Sequence, residues 1–423
     1  MSIEKVETVV VGAGQAGVAM SEHLSKIGAP HLVLERGRIA ERWRTARWDS
    51  LVANGPAWHD RFPGMEFTDV DPDAFPTKER MADYFVAYAE KFASPIRCGV
   101  EVRQVRRNVD RAGFTLETSS GLIEATNVVA ATGPFQRPII PALVPENDGL
   151  IQIHSNAYRN ERQLPEGAVL VVGSGASGVQ IADELRRAGR TVYLSVGPHH
   201  RPPRSYRGRD YCWWLGVLGK WDKAAAEPGT KHIAISVSGA HGGHTVDFRR
   251  LAAQGITLVG MTKSFNAGVL SFALDLRENI ARGDANFMSV LDEADAYVAR
   301  NGIELPAEPD ARHIEPDPSC VSNPIEALNL AEAGIRSIVW ATGYAVDFSW
   351  LKVDTFDKDG NPIHQRGVSS EPGIYFLGLP WLSRRGSSFI WGVWHDARYL
   401  ADQISIQRQY LAYHNSARGL ASR

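Results

Sequence analysis

Cysteine is scarce in this chain. Cys98, Cys212 and Cys320 are the only three in 423 residues, and they stand far apart. An odd, scattered set excludes a disulfide framework, a Cys-x-x-Cys redox centre and a cysteine metal site. An excess of one charge is also lacking, since 46 Lys+Arg face 48 Asp+Glu for a net of −2. That balance gives no footing for nucleic acid or an anionic membrane. No run of about 18 apolar residues occurs, so no membrane-spanning helix is expected. The amino terminus lacks the apolar stretch of a secretory signal, because Glu4 and Glu7 lead straight into Val9-Val10-Val11. Hydrophobic residues make up 44% and charged residues 22%, which excludes a disordered or fibrous chain. At roughly 100–200 residues per domain, the length allows two or three domains. What remains is a reducing, cytoplasmic, water-soluble enzyme on a large α/β scaffold.

Against these absences, one pattern occurs twice. The β-rich run Val6 to Val11 ends in Gly12-Ala13-Gly14-Gln15-Ala16-Gly17, a helical stretch follows, and Gly28 precedes a new apolar run at His31-Leu32-Val33-Leu34. Further on, Ala168 to Val172 ends in Gly173-Ser174-Gly175-Ala176-Ser177-Gly178, followed by a helical stretch, Gly189 and the run Thr191-Val192-Tyr193-Leu194. Each is a β-turn-α-β unit, for which a parallel sheet with a right-handed crossover is expected. The fold class is therefore α/β with two Rossmann-like dinucleotide-binding domains. The glycines allow a tight turn, close backbone approach to a diphosphate and close helix packing, and the helix start faces the anion. In the first unit Glu35 ends the next strand, where a carboxylate would hold ribose hydroxyls; the alternative is a surface acid paired with Arg36 or Arg38. The second unit has no acid there. Its strand continues through Ser195 to Arg201 and Arg204, and arginine accommodates a 2′-phosphate, unless this basic cluster is simply a solvated loop. The two units imply FAD at the first site and NADPH at the second.

Two further segments repeat a phrase, Val128-Val129-Ala130-Ala131-Thr132-Gly133 and Ile338-Val339-Trp340-Ala341-Thr342-Gly343. The stretch 201–289 has no clean βαβ rhythm and is expected to be an irregular or helical insertion. The expected organisation is residues 1–160 as the first part of a FAD-binding domain, 161–334 as an NADPH-binding domain with that insertion, and 335–423 as the second part of the FAD domain. His241-Gly242-Gly243-His244 lacks a nearby acid or cysteine set and is expected to be a loop, so no metal site is expected.

With both glycine units and both Ala-Thr-Gly phrases, the chain resembles the flavin-containing monooxygenase family, including the plant YUCCA-type enzymes and their bacterial relatives. The resemblance spans nearly the whole chain. The segment Gly149 to Arg159 is similar to the family's FxGxxxHxxx(W/F/Y) motif, with His154 and Tyr158 at its marked positions. It departs in having Asn147 in place of Phe and one extra residue before His154. Tyr158 and the chain length look more like N- or S-oxygenating members than Baeyer–Villiger enzymes, which usually carry tryptophan there. The stretch Trp43-Arg44 to Asn54-Gly55-Pro56 matches a family region in which a tryptophan-arginine pair follows the ribose strand and an asparagine sits beside the flavin. The resemblance thus implies cofactor contacts at Arg36, Trp43, Arg44, Thr132, Gly133, Ala341, Thr342 and Gly343, besides both glycine loops, and a catalytic amide at Asn54. Without it, Asn54-Gly55-Pro56 reads as turn chemistry. The implied reaction is NADPH-dependent transfer of one oxygen atom from O₂, through a C4a-hydroperoxyflavin, to a small nucleophilic substrate: an amine, a sulfide or an electron-rich aromatic. The alternatives are an NADPH oxidase-like or redox-sensing flavoprotein, or Baeyer–Villiger oxygenation of a ketone. A disulfide reductase would need a cysteine pair that is lacking. No pattern specifies an oligomeric state.

Overall fold

The computed structural model describes residues 3–146, 149–224 and 233–421, which build two sheets, each with a parallel core. Asn147 lies outside the described residues. In the first sheet, β1 (Glu4–Val11) lies between β2 (His31–Glu35) and the later β6 (Gly121–Ala130), parallel to both. Val9 and Val10 are fully buried because helices cover one face and a β-meander the other, which is why β1 reads as a continuous apolar run. Between β1 and β2 runs α1 (Gln15–Lys26), which ends where Gly28 adopts φ +61° and donates to the Ser25 carbonyl. The short α2 (Glu41–Thr45) and the longer α3 (Lys78–Lys91) follow, then β3 (Ile96–Cys98) parallel to β2. The strands β4 (Val102–Arg107) and β5 (Phe114–Thr118) form an antiparallel meander onto β6. Late in the chain Ile374–Phe376 returns to pair parallel with β6, and the terminal helix Ile390–Ala421 packs on α1. Trp394 of that helix, Tyr88 of α3 and Lys26 all converge on buried Glu22 of α1. These bonds satisfy a carboxylate that burial alone would penalise.

After the short β7 (Arg137–Pro138), the second sheet contains β8 (Ile151–His154), β9 (Ala168–Val172) and β10 (Val192–Ser195). It is parallel throughout, in the order Ile256–Val259, β10, β9, Ile335–Trp340, β8. The helix α4 (Ala176–Arg187) links β9 to β10 and stops at Gly189, φ +83°. This arrangement moves the expected boundaries. β8 and Ile335–Trp340 belong to the second sheet by hydrogen bonding, although the sequence placed them with the first domain. The 201–289 region also contributes more than an irregular insertion. Phe248–Ala253, capped by the Asp247 carboxylate, leads into Ile256–Val259, a further βαβ strand. The hairpin Thr262–Asn266/Val269–Phe272 follows, and the long helix Leu276–Asn301 begins after it. Trp214 is fully buried and shares a core with Phe287 and Leu291 of that helix.

Candidate functional site

The two glycine units fold into the same turn. Gly12 and Gly173 take φ of +105° and +116°, a region closed to residues with a Cβ. Each is pressed against the returning Ala-Thr-Gly phrase: a Cβ on Gly12 would lie 2.8 Å from the Ala131 carbonyl oxygen, and one on Gly173 2.5 Å from that of Ala341. The backbone amides of Ala131 and Ala341 donate to Val11 and Val172 at 3.0 and 2.8 Å. Both Ala-Thr-Gly phrases therefore close beside a glycine loop. Gly17 and Gly178 allow their helices to touch the turn, since a Cβ on either would meet the first glycine's carbonyl oxygen at 1.8 Å.

The open positions differ. A Cβ on Gly14 would meet nothing within 4 Å, whereas one on Gly175 would lie 3.3 Å from the Ala234 methyl. Both α1 and α4 start at these glycines with no side-chain cap and no acid in the first turn. Their first amides, those of Gln15, Ala16 and Gly17 and of Ala176, Ser177 and Gly178, thus begin each helix without a carboxylate of the chain's own. At Gly14 the open notch, uncapped amides and helix dipole together fit a diphosphate; at Gly175 the uncapped amides and dipole are present with Ala234 against the notch. Glu35 is not a surface acid paired to arginine. Its Oε2 accepts from the Ala13 amide at 2.9 Å and its Oε1 from Gly37 at 2.8 Å, which aims the carboxylate across the loop with lone pairs to spare. Arg38 pairs with Glu41 instead, and Arg36 is exposed. Backbone register puts Leu34 and Ser195 in equivalent places, because Gly12 donates to the Leu34 carbonyl and Gly173 to that of Ser195. Fully buried Val196 therefore stands where Glu35 does.

Several of the expected contact residues are engaged within the protein itself. The Ser195 hydroxyl turns into the core and donates to the Gly260 carbonyl at 2.9 Å. Arg201 is 2% exposed, pairs with Asp284 at 2.7 Å and lies 4.5 Å over the Phe287 ring. Arg204 is also buried, bound to Asp210 at 2.7 Å and to the Asn54 carbonyl at 2.6 Å. A guanidinium enclosed with its own carboxylate is spent on that pair, so neither arginine reads a 2′-phosphate in this arrangement. Arg44 pairs with Asp83 at 2.9 Å, and Trp43 packs between the cores of the two domains. Thr132 and Gly133 both accept from the Gln136 amide, and the Thr342 hydroxyl donates to the Ile139 carbonyl. The two linkers pair antiparallel, Arg137–Pro138 with Tyr344–Ala345, and bring Gly133 and Gly343 to the seam between the domains. His154 is structural here: its Nε2–H donates to the Gly343 carbonyl at 2.9 Å, and its Nδ1 accepts from the Asn156 amide. Burial pushes its pKa down. Tyr158 is fully buried and donates to Glu184 at 2.8 Å.

Asn54 is exposed at this seam and held from three directions. Its carboxamide oxygen accepts from Gln180 of α4 at 2.9 Å, and its carbonyl accepts from Arg204. The following amide, that of Gly55, donates to Asp60 at 3.0 Å. The other Asp60 oxygen holds Nδ1 of His59, whose ring stacks on Trp221 at 5.0 Å and lies 6.4 Å from Trp391. Trp394 belongs to the core around Glu22, whereas Trp391 packs against the cluster that contains Trp221. Gln15 of the first loop donates to the Ser388 carbonyl, joining the first glycine turn to the start of the terminal helix. Sequence reasoning missed Gln180, Asp60 and His59. Only the position of Gln180 two residues after Gly178 could have drawn attention to it.

A cavity of about 380 Å³ opens on the outer face of α4, between Trp48, Gln180, Asp183, His241 and Val246. His241 and His244 are wall residues there, and the described residues contain no group of three or more His, Cys, Asp or Glu placed for a metal ion. No helix among the described residues is long and apolar enough to cross a membrane. The three cysteines are free thiols, and burial raises the Cys212 pKa well above its ordinary value.

The family model described as pyridine nucleotide-disulphide oxidoreductase matches residues 9–211. An uncharacterized CzcO-like oxidoreductase of Geobacillus kaustophilus is 35% identical over 404 residues, covering 94% of this chain and 98% of its own. The probable indole-3-pyruvate monooxygenase YUCCA4 of Arabidopsis thaliana is 26% identical over 412 residues, covering 94% of this chain and 90% of its own. Among solved structures, a flavin-containing monooxygenase from Stenotrophomonas maltophilia superposes with a TM-score of 0.65 at 18% identity, covering 96% of this chain and 99% of its own.

Proposed function

The chain belongs to the flavin-containing monooxygenase family, alongside the CzcO-like oxidoreductases, and from that premise we propose an NADPH-dependent FAD monooxygenase acting on a small nucleophilic molecule. FAD would lie on Gly12, Gly14, Gly17 and Glu35, and the nicotinamide dinucleotide on Gly173, Gly175 and Gly178. The preference for NADPH rests on Val196 standing where an acid would select NAD. In the net reaction the substrate, NADPH, a proton and O₂ give the oxygenated product, NADP⁺ and water. Accepting electrons from nicotinamide and activating oxygen is the chemistry that bound flavin supplies. The chain's own residues bind, orient and exclude water. The first amides of α1 and α4 would meet the two diphosphates, and Glu35 would accept from ribose hydroxyls. Trp221 stacks on His59 and meets Phe389 edge-on at 5.1 Å, an aromatic group linked to Gly55 through His59 and Asp60.

The observation that carries this reading is Asn54. It stands at the seam of the two dinucleotide units with its oxygen engaged by Gln180, which leaves its NH₂ as a neutral donor. Such a donor stabilises developing negative charge without offering a competing acid. The test compares NADPH consumed with H₂O₂ released and product formed, in wild type and Asn54→Leu. The expected result is retained NADPH oxidation with electrons diverted to H₂O₂ in the variant. Unchanged partition in Asn54→Leu removes Asn54 from the chemistry. A wild type that consumes no NADPH overturns the enzyme, and one that sends every electron to H₂O₂ with all candidate nucleophiles is an oxidase.

A further inference from the structure

Gln180 occupies a place whose polarity is fixed by the backbone. It is 8% exposed, and its side-chain nitrogen donates to the Val237 carbonyl at 2.7 Å and to the Asn54 carboxamide oxygen at 2.9 Å. A carbonyl only accepts, so Val237 forces the Gln180 NH₂ toward it. The second hydrogen of that NH₂ then obliges Asn54 to present oxygen, and the Asn54 NH₂ is turned the other way. A carboxamide left to itself has two orientations of nearly equal shape; here a chain of single-sense hydrogen bonds selects one.

We infer that Gln180 is a positioning residue that sets the orientation of the Asn54 carboxamide, under the control of the segment that lies over the second glycine loop. That segment begins with Ala234, whose methyl faces Gly175. Its next anchor is Ser236, whose hydroxyl donates to the Ser174 carbonyl at 2.6 Å. Val237 follows directly. Gln180 itself rides on α4, the helix that starts at the same loop. The loop that receives the second dinucleotide and the amide that serves the first are thus joined through Ala234, Ser236, Val237 and Gln180. Arg204 reinforces the link by holding the Asn54 main chain. The inference rests on the proposed role of Asn54 and adds the groups that orient it.

The experiment is a double-mutant cycle on the holoenzyme, reading H₂O₂ release during NADPH oxidation with no added substrate. Gln180→Met keeps length but cannot donate. Loss of one oriented hydrogen bond corresponds to about a fivefold change, so Gln180→Met is expected to raise H₂O₂ release about fivefold. In the Asn54→Leu background it is expected to change nothing, because Gln180 acts only through Asn54. Gln180→Glu provides a second route if Gln180→Met fails to fold. Protonated or ionised, a carboxyl cannot donate to both Val237 and Asn54 and offers Asn54 an acceptor, which reverses the amide; H₂O₂ release should rise at least as much. A readout independent of turnover is hydrogen exchange of the Gln180 side-chain amide in ¹⁵N-labelled holoprotein, expected to quicken about fivefold in Asn54→Leu. An equal effect of Gln180→Met in both backgrounds, or none in either, overturns the inference while leaving Asn54 in place. Unchanged amide exchange in Asn54→Leu also overturns it. An Asn54→Leu enzyme with unchanged H₂O₂ release overturns the earlier reading first, and the positioning role with it.

Discussion

The two glycine loops solve one backbone problem with different fasteners. Both need the turn tied to the end of the following strand. In the first, the chain reaches back with a side chain: the Glu35 carboxylate accepts from Ala13 and Gly37. In the second, the loop reaches forward. Ser174, in the place of Ala13, donates its hydroxyl to the Gly197 carbonyl at 3.1 Å and accepts from the Gly197 amide at 3.2 Å. The first solution leaves a carboxylate at the corner of the loop and the second leaves none. A corner without a carboxylate admits a phosphate that Glu35 would repel. The loops differ also in their surroundings, because Gly14 is open while Gly175 has Ala234 against it.

The comparison can be broken most forcefully where the loops are alike. Gly17→Ala and Gly178→Ala each drive a methyl to 1.8 Å from a carbonyl oxygen. Overpacking against backbone that cannot move aside costs about 3 kcal/mol or more. Both variants should therefore lose soluble expression or show a large fall in Tm. Tolerance of either would mean that its helix does not touch its turn.

Acid should weaken both domains in parallel. His23 on α1 and His199 beyond β10 are buried, and desolvation, as the leading cause, lowers each pKa to about 4. Each binds its proton more readily unfolded than folded. Below pH 6.5 the unfolded state is favoured increasingly, and the penalty is complete once pH falls to about 4. The slope is about 1.4 kcal/mol per pH unit per histidine within that window. Denaturant midpoints at pH 7.0, 5.5 and 4.5 should fall accordingly, and His23→Gln and His199→Gln should each flatten part of the decline. A flat profile over this window contradicts burial of both imidazoles.

Where the loops differ, substitutions should separate them. Gly14→Ala fits the empty notch sterically, so the protein should fold but retain less than a tenth of wild-type flavin. Gly175→Ala should retain flavin and raise the KM for NADPH several-fold instead. Flavin content and KM on the same preparations check both. Full flavin in folded Gly14→Ala moves the FAD site elsewhere. The smallest effect is expected at the fastener. Ser174→Ala strands the Gly197 amide and should cost about 1 kcal/mol, read as a modest fall in Tm with flavin content unchanged. Arg204→Ala sharpens the cofactor question: its loss should raise H₂O₂ release equally with NADPH and NADH, since it holds Asn54 and not a phosphate.

Both nucleotide units were legible because their physics is local. A strand, three glycines at fixed spacing and a helix closed by glycine are contained in about thirty consecutive residues. The two Ala-Thr-Gly phrases could be recognised as a pair, but not that each closes against its own loop. Elsewhere distance along the chain governs the outcome. Arg201 and Arg204 look like a basic cluster after a strand, yet their acids, Asp284 and Asp210, settle them inside the protein. Ile256–Val259 looks like part of an irregular stretch because Gly255 and Gly260 leave it only four residues, and its partner β10 lies some sixty residues earlier.

By itself, then, the sequence determined the two glycine turns, the acid at one and its absence at the other, since each follows from spacing within about thirty consecutive residues. Only the tertiary structure decided what surrounds Asn54. Gln180, Val237, Arg204 and Asp60 come from α4, the segment over the second loop, the region after β10 and the turn beyond Asn54 itself. Apart from the place of Gln180 two residues after Gly178, none carries a local signature, because the orientation of an amide depends on which polar groups packing brings within three ångströms.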